Sequence, residues 1–488
     1  MLPSPVLKLW RRSENPLWEV VDRHFEEAEF LAERWRDAFD EPDITLHELA
    51  VGTEQRLAAH LDALELVGAP LLERTYWPAL ADASTEAALA LVSGLGVLAC
   101  GELEDSLPGP GGRAERGCRA AGPSLGDDKD SLPGPGGRAE RGCRAAGPSL
   151  GDDKDGRRLL ALLGEVEVRS ERWHGLVEAL ALSRRAGLEQ WLRSQLGDAN
   201  EGPAVAAVVA ALARRQVQLG PRLTALLASE DPNVLEAAAT LARSGDPQQL
   251  QIVAGLGEHP NPRVVAAAVE TALVRGVAGA VEAARYWAFD APSCEFRPRA
   301  LLWLGVLGQP GDQRRLIALL EDPERRRAAL RALGFGGSVE AVEAALPLLA
   351  DAELGALAGE LMTAIVGLPR EDESLWVDRV REDDAALPPL ADDALDADLA
   401  IEPEELLPVP DPVAVTSWCQ QRLPQLDRSA RLLGGAVLDD AVLANALLHE
   451  PMRRRHALGL LAQIRSQGAQ RPNTRDWAQA QLDAGGAN

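Results

Sequence analysis

Apolar positions recur at helical spacing near the start of the chain. Val21, Phe25, Ala28, Leu31 and Trp35 form one stripe in which successive members are three or four residues apart. This spacing is typical of an amphipathic helix with one buried face. The stripe therefore predicts a first helix in this region.

A second stripe follows a helix-start signal. Thr45 and Glu48 match the capping box, in which each side chain bonds the backbone N–H of the other residue. Leu49, Leu57 and Leu61 continue the apolar face. A third stretch, residues 87–100, is nearly uncharged but shorter than the ~20 residues needed to span a bilayer. We therefore expect buried helices in both places.

Residues after 156 follow a repeating pattern of short helices. Asp231, Asn261 and Asp322 each precede a proline and an apolar stretch rich in alanine. Asp or Asn caps a helix, and Pro fits its first turn. The first two starts are 30 residues apart and the third follows 61 residues later, with a degenerate copy near Asp290 between them. A period of about 30 in paired helices is typical of an α-solenoid, because one pair cannot bury its apolar face alone.

These patterns predict an all-α protein, an α-solenoid of helix pairs with helical regions at both ends. The predicted segments are an N-terminal helical region (1–104), a loop (105–155), the repeat array (156–370), an acidic linker (371–412) and a C-terminal helical domain (413–488).

The loop contains a 25-residue string that is repeated once without a change. Glycine and proline are frequent in it, and it has no aromatic or β-branched residue. Such a string cannot bury enough apolar surface to offset the entropy of ordering it. We therefore expect a disordered loop without a role in binding.

The charge and the cysteines narrow the class of protein. The net charge is −25, so phosphate backbones and anionic lipid surfaces repel the chain, and we expect neither nucleic acid nor membrane as a partner. The 5 cysteines are odd in number and contain no C-x-x-C, which argues against a disulfide framework. The N-terminus lacks the apolar core of a signal peptide. These features predict a cytoplasmic protein.

Motifs for catalysis are absent from the sequence. It contains no H-E-x-x-H and no phosphate-binding glycine loop. His24 and Glu27 are three residues apart and could place two metal ligands on one helix face. His60 lies on an apolar stripe, which favours a place in the core, and no cysteine has an activating context. We expect a protein that is not an enzyme and that binds no cofactor or metal.

Two arginine clusters are the candidate partner-binding residues. They are Arg325, Arg326 and Arg327, which open a repeat helix, and Arg453, Arg454 and Arg455, which open a C-terminal helix. Either cluster could receive an acidic patch of a partner protein or the chain's own acidic segment. The alternative is an ordinary solvated helix surface.

Three segments carry a family resemblance: VVDRHFEEAEFLAERWRDAF (20–39), LAGELMTAIVGL (357–368) and RLLGGAVLDD (431–440). They resemble an uncharacterised bacterial family that combines an N-terminal helical region, central HEAT-like repeats and a C-terminal helical piece, and whose genes often lie near type VI secretion genes. The repeats are similar to those of phycobilin lyases and deoxyhypusine hydroxylase. The hydroxylase binds two irons through His-Glu pairs in several repeats, whereas His47-Glu48 and His449-Glu450 of this chain lie outside the repeats.

The function expected from these observations is protein binding, the usual role of a solenoid. We expect a non-catalytic interaction scaffold. The resemblance implies a type VI secretion adaptor or chaperone, with a secretion effector or spike component as its protein partner. The alternatives are an immunity protein that neutralises a cognate effector, and a HEAT-repeat enzyme such as a lyase or metal-dependent hydroxylase. The oligomeric state stays open.

Overall fold

The apolar stripes predicted in the N-terminal region are helical, and helices make up most of the described residues. The computed structural model describes residues 16–104, 154–197, 200–292, 294–377 and 403–485. The fold is all-α, as predicted, and the strands in these ranges are four segments of two residues each. The predicted loop with the duplicated string falls outside the described residues apart from Lys154 and Asp155.

The N-terminal region contains helices α1 (Trp18–Asp37), α2 (Leu46–Leu49), α3 (Gln55–Val67), α4 (Trp77–Ala81) and α5 (Ala87–Glu104). Two π-helical turns interrupt this series. Ala50–Glu54 joins α2 to α3, and Leu72–Tyr76 leads into α4. The capping box predicted at Thr45 and Glu48 is confirmed.

The repeat array follows α6 (Lys154–Glu165) and consists of helix pairs. The first helices of the pairs are α7 (Glu171–Leu182), α9 (Pro203–Arg214), α11 (Pro232–Leu241), α13 (Pro262–Val274), α15 (Arg297–Leu307), α17 (Arg326–Leu333) and α19 (Gly355–Val366). The second helices are α8 (Leu188–Leu196), α10 (Pro221–Leu226), α12 (Pro247–Gly255), α14 (Ala280–Arg285), α16 (Pro310–Ala318) and α18 (Val339–Ala345).

The helix starts predicted at Asp231 and Asn261 are confirmed. Each side chain accepts a hydrogen bond from the backbone two residues on, and proline occupies the first turn. The start predicted at Asp322 is wrong, and the degenerate copy near Asp290 contains a helix that begins seven residues after the aspartate. Asp322 caps a separate turn before α17, and Asp290 ends a π-helical turn, so α15 begins only at Arg297.

The first helices pack against one another through small residues and capping arginines. A Cβ on Gly175 or Gly305 would lie only 2.2 or 2.1 Å from a backbone oxygen of the neighbouring helix, so only glycine permits these crossings. Arg215 and Arg275 hold equivalent places at the ends of α9 and α13. Arg215 donates to carbonyls in the last turn of α7 and just after it. Arg275 donates to carbonyls just after the end of α11. The guanidinium groups thereby satisfy carbonyls that a helix end leaves without partners.

The apolar core divides at α13. Ala268 belongs to the N-terminal part of the core, whereas Val265 and Val269 belong to the C-terminal part. Between α13 and α15 the contact is partly polar, because the buried Glu270 faces α15 at this point. The array therefore has two apolar cores that meet at α13, and a charged contact lies between α13 and α15 within the C-terminal core.

The C-terminal region contains α20 (Pro412–Arg422), α21 (Asp440–His449), α22 (Met452–Arg465) and α23 (Ala478–Gly485). Two short antiparallel pairs accompany them: β1 (Trp376–Val377) with β2 (Val409–Pro410), and β3 (Leu432–Leu433) with β4 (Ala436–Val437). Since β1 and β2 lie at opposite ends of the predicted acidic linker, these ends are held side by side. The linker therefore does not separate two domains in space; its residues 378–402 lie outside the described ranges.

The C-terminal region runs across the carboxyl ends of the first helices instead of standing apart. Arg431 donates to the carbonyl of Val306, in the last turn of α15, and to the carbonyl of Phe335, just after the end of α17. Asn473 donates to the last carbonyl of α9, and the Trp477 indole donates to the last carbonyl of α7. This contact with most of the array makes the C-terminal helices part of one structure with the repeats.

The end of the array also meets the N-terminal region. Arg370, just after α19, donates to the Pro42 carbonyl at 2.6 Å and to the Asp43 carboxylate at 3.0 Å. The Met452 N–H donates to the Ile44 carbonyl at 2.8 Å. Helix α22 is buried over most of its surface because it lies between the first helices and this N-terminal loop.

Candidate protein-binding surface

The first arginine cluster is paired with the chain's own carboxylates. Arg325 contacts Asp322 at 2.5 Å and Arg326 contacts Glu353 at 3.4 Å. Arg327 contacts Glu404, at 2.5 Å, and Glu404 belongs to the acidic segment. These arginines retain partial exposure, but each already has an anionic partner.

The second cluster is buried, which corrects the prediction of a partner-binding patch there. Arg453, Arg454 and Arg455 are 6%, 3% and 3% exposed. Arg453 pairs with Glu360 at 2.8 Å and approaches Glu404 at 3.6 Å. Burial lowers the pKa of Arg455 to about 10, and its guanidinium donates to the Leu447 carbonyl and to Gln481.

Glu404 therefore joins the two clusters. The carboxylate lies between Arg327 of α17 and Arg453 of α22, within 4 Å of both. One arginine of each cluster, Arg327 and Arg453, therefore has the chain's own acidic segment as a counter-charge, which is one of the predicted possibilities. The sequence could not distinguish these possibilities, because an exposed and a buried arginine run look alike.

The N-terminal histidines form a pair that the sequence did not reveal. His24 Nδ1 and His60 Nδ1 are 3.0 Å apart, so one ring must donate and the other accept. Burial and the neighbouring His24 lower the pKa of His60. Within the described ranges, no three His, Cys, Asp or Glu side chains come together in a way that could hold a metal ion.

Two of the three described cysteines, Cys294 and Cys419, are not activated. Burial raises the pKa of Cys294, and it raises that of Cys419 to about 11. A nucleophilic cysteine needs the opposite shift, since the thiolate is the reactive form. Neither thiol is therefore a candidate nucleophile.

Aromatic rings form a connected path from the surface to the core across α14 and α15. The ring centroids of Tyr286 and Trp287 are 5.1 Å apart, those of Trp287 and Phe296 are 5.2 Å apart, and those of Phe296 and Trp303 are 6.0 Å apart. Tyr286 is 48% exposed, Trp287 and Phe296 are half-buried, and Trp303 is fully buried. We call Tyr286, Trp287 and Phe296 the aromatic surface.

Local backbone geometry places these rings outward. Helix α14 ends in the π-helical turn Tyr286–Asp290, which occupies the degenerate repeat recognised near Asp290. π-Helical turns are rare in proteins, and those that occur are often found at functional sites. Composition offered a signal that the sequence reasoning missed: three of the chain's 6 Phe and 2 Tyr residues lie between positions 286 and 296.

A buried charge network fixes the inner end of the aromatic path. The Glu270 carboxylate accepts from the Trp303 indole at 2.8 Å and from Arg299 at 2.9 Å, and it also binds Arg243. Burial alone would raise the pKa of Glu270, but Arg299, Arg243 and the indole outweigh it and lower the pKa to about 2. The carboxylate is therefore ionised at neutral pH and holds Trp303 in place.

Cations border the aromatic surface. The Arg315 guanidinium lies 3.9 Å from the ring centroid of Phe289 and pairs with Asp290 at 3.0 Å. Arg299 is partly exposed beside Trp303. Aromatic and arginine side chains on a rigid base are the residue types that dominate protein interfaces.

Comparison with known proteins adds no relative. No protein-family model matches the chain, and a search of curated proteins found no significant similarity. Among the described helices, none has the length and apolarity needed to cross a membrane. The family resemblance therefore stays a prediction.

Proposed function

We propose that this protein is a non-catalytic protein–protein interaction scaffold and that its partner binds at the aromatic surface. The observation that carries the proposal is the exposed Tyr286 ring, held by a continuous aromatic path that ends on the buried Glu270 network. A preorganised aromatic side chain loses little conformational entropy on binding. The surface suits a partner that offers an apolar pocket for the Tyr286 ring.

The solvent exposure of the aromatic surface supports this position for the binding site. The carboxyl ends of the first helices are covered by the chain's own C-terminal region, and α22 is almost wholly buried there. Tyr286 follows α14, a second helix, and it is 48% exposed to solvent. A partner would therefore use the face that the C-terminal region leaves uncovered.

A type VI secretion adaptor or chaperone is the finer form of the proposal. Its support is the resemblance of three segments to the bacterial family described above. An adaptor would change secretion of its partner, whereas an immunity protein would protect cells from it. Deleting the gene and measuring secretion of each recovered partner separates the two roles.

The proposal is tested by affinity purification from the native host with quantitative mass spectrometry. Tyr286→Asp is compared with the wild type and with Phe30→Asp, a matched change at an exposed ring on α1. We expect proteins retained by the wild type and Phe30→Asp to fall at least ~10-fold with Tyr286→Asp, since ~1.4 kcal/mol corresponds to tenfold in affinity. Equal recovery by both variants would overturn the aromatic surface as the binding site, and no specific partner in any sample would overturn the scaffold.

A further inference from the structure

A cavity of about 560 Å³ lies where the N-terminal helices meet the last helix of the chain. One wall is formed by the first π-helical turn, which carries Val51, and by the face of α3 that carries Ala58 and Asp62. Leu95 on α5 and the residues just after α7 form the others, and Trp477 and Gln479 close one end. The volume falls within the ~300–1,000 Å³ range of small-molecule sites.

The base of the cavity is apolar and tightly built. Tyr76 is 1% exposed and packs on Gly96, where an added Cβ would lie only 2.3 Å from the Tyr76 ring. Leu61 and Leu95 line the cavity beside it. The two N-terminal π-helical turns supply Glu54 and Tyr76, so both of these uncommon turns meet at the cavity.

Glu54 builds the wall and does not serve as a ligand group. Its carboxylate accepts from the Trp35 indole at 2.9 Å and from the backbone N–H groups of Ala478 and Gln479, the first residues of α23. Burial raises the pKa of this carboxyl despite these bonds. Its hydrogen-bonding capacity is directed at α23, and this fixes Trp477 and Gln479 at the end of the cavity.

Two further acidic residues, Asp62 and Glu65, lie at the rim of the cavity. Asp62 and Glu65 are three residues apart on α3 and therefore lie on one face of it. Asp62 is exposed and makes no hydrogen bond or ion pair with any other described residue. Partial desolvation by the neighbouring cavity wall raises the pKa of Asp62.

We propose that this cavity binds an apolar primary amine, whose ammonium group pairs with Asp62 at the rim and whose hydrocarbon part packs on Leu61, Leu95 and Tyr76. A cation is the complement of an unpaired carboxylate, and the net charge of −25 attracts cations to the whole surface. Arg184 lies on the opposite wall near Glu54, so the ammonium group belongs at the Asp62 end. This inference is independent of the scaffold proposal, because the cavity and the aromatic surface share no residue.

The test is isothermal titration calorimetry with hexylamine and 2-phenylethylamine, with hexanol and hexanoate as comparators. The protein variants are Asp62→Asn, which removes the rim charge, and Ala58→Phe, which fills the cavity from an exposed position. Glu165→Gln removes an exposed carboxylate outside the cavity and serves as the control. Thermal unfolding of each variant confirms that it is folded.

The proposal requires that an amine binds the wild type at least ~10-fold more tightly than hexanol, the ratio given by ~1.4 kcal/mol of charge pairing. Asp62→Asn should remove most of that advantage, Ala58→Phe should abolish binding, and Glu165→Gln should change neither. Equal binding of amine and alcohol, tighter binding of hexanoate, no heat with any probe, or an unchanged affinity in Asp62→Asn would each overturn it.

Discussion

The buried seam between α13 and α15 provides the sharpest test of how this array is stabilised. Glu270 is the single carboxylate that Arg243, Arg299 and the Trp303 indole share at that point. Replacing it with glutamine keeps the size of the side chain and removes the charge. Two guanidinium groups would then face a neutral amide at a site that is only 8% exposed on the Glu270 side.

The size of the effect follows from the pKa. The carboxyl shifts from 4.5 to about 2, and each unit is worth 1.36 kcal/mol, so ionised Glu270 contributes about 3 kcal/mol. A carboxyl whose folded-state pKa is lowered stabilises the protein above its unfolded-state pKa and loses that effect as the pH falls. The stability gap between the wild type and Glu270→Gln should therefore be full at pH 7 and should narrow between about pH 4.5 and pH 2.

The assay is urea unfolding followed by tryptophan fluorescence at a series of pH values from 7 to 3. Glu343→Gln is the matched control, because Glu343 pairs with Arg428 on the exposed surface, where a salt bridge contributes at most about 1 kcal/mol. We expect Glu270→Gln to cost about 3 kcal/mol at pH 7 and Glu343→Gln less than 1. A cost below 1 kcal/mol for Glu270→Gln, or a gap that does not change with pH, would refute the reasoning.

Three further changes probe other contacts. Gly96→Ala places a methyl group on the Tyr76 ring and should cost about 1–3 kcal/mol in thermal unfolding, whereas Gly164→Ala, with open space around it, should be neutral or stabilising by up to ~1 kcal/mol; equal melting temperatures would contradict this. Glu54→Ala removes the N-terminal cap of α23 and should cost about 1 kcal/mol and speed amide hydrogen exchange in residues 478–485, so unchanged exchange there would argue against the cap. Arg431→Ala removes the guanidinium that donates to three carbonyls at helix ends, and it should cost about 1–3 kcal/mol in urea unfolding. A loss below about 0.5 kcal/mol would show that water replaces the guanidinium.

Local sequence signals predicted the local parts of this structure. The capping box at Thr45 and the caps at Asp231 and Asn261 are confirmed because a cap depends on three or four consecutive residues. The start expected at Asp322 failed because Arg325, and not the aspartate, comes directly before the helix. A dipeptide that favours a turn cannot specify how many residues separate the turn from the helix.

Contacts between distant residues were outside the reach of the sequence. Arg453 is buried because Glu360, 93 positions earlier, meets it across the fold. His24 and His60 are 36 residues apart, and their pairing depends on how α1 crosses α3. The rim acids on α3 showed the ordinary pattern of a solvated helix face, and only the neighbouring α5 and α23 turn that face into a cavity wall.

The contact of Arg370 with Pro42 and Asp43 changes how the array should come apart. In an open solenoid, stability is a sum over neighbouring repeats, and the terminal repeats fray first. Here the last repeat is fastened to the N-terminal loop, and α22 is fastened to the same loop through Met452 and Ile44. The array consequently has no loose terminal repeat. When any one interface breaks, the repeats on both sides of the break keep their other contacts, so no repeat is released from the end. Mechanical pulling on such a chain should give one large rupture event in place of the stepwise peeling of an open array.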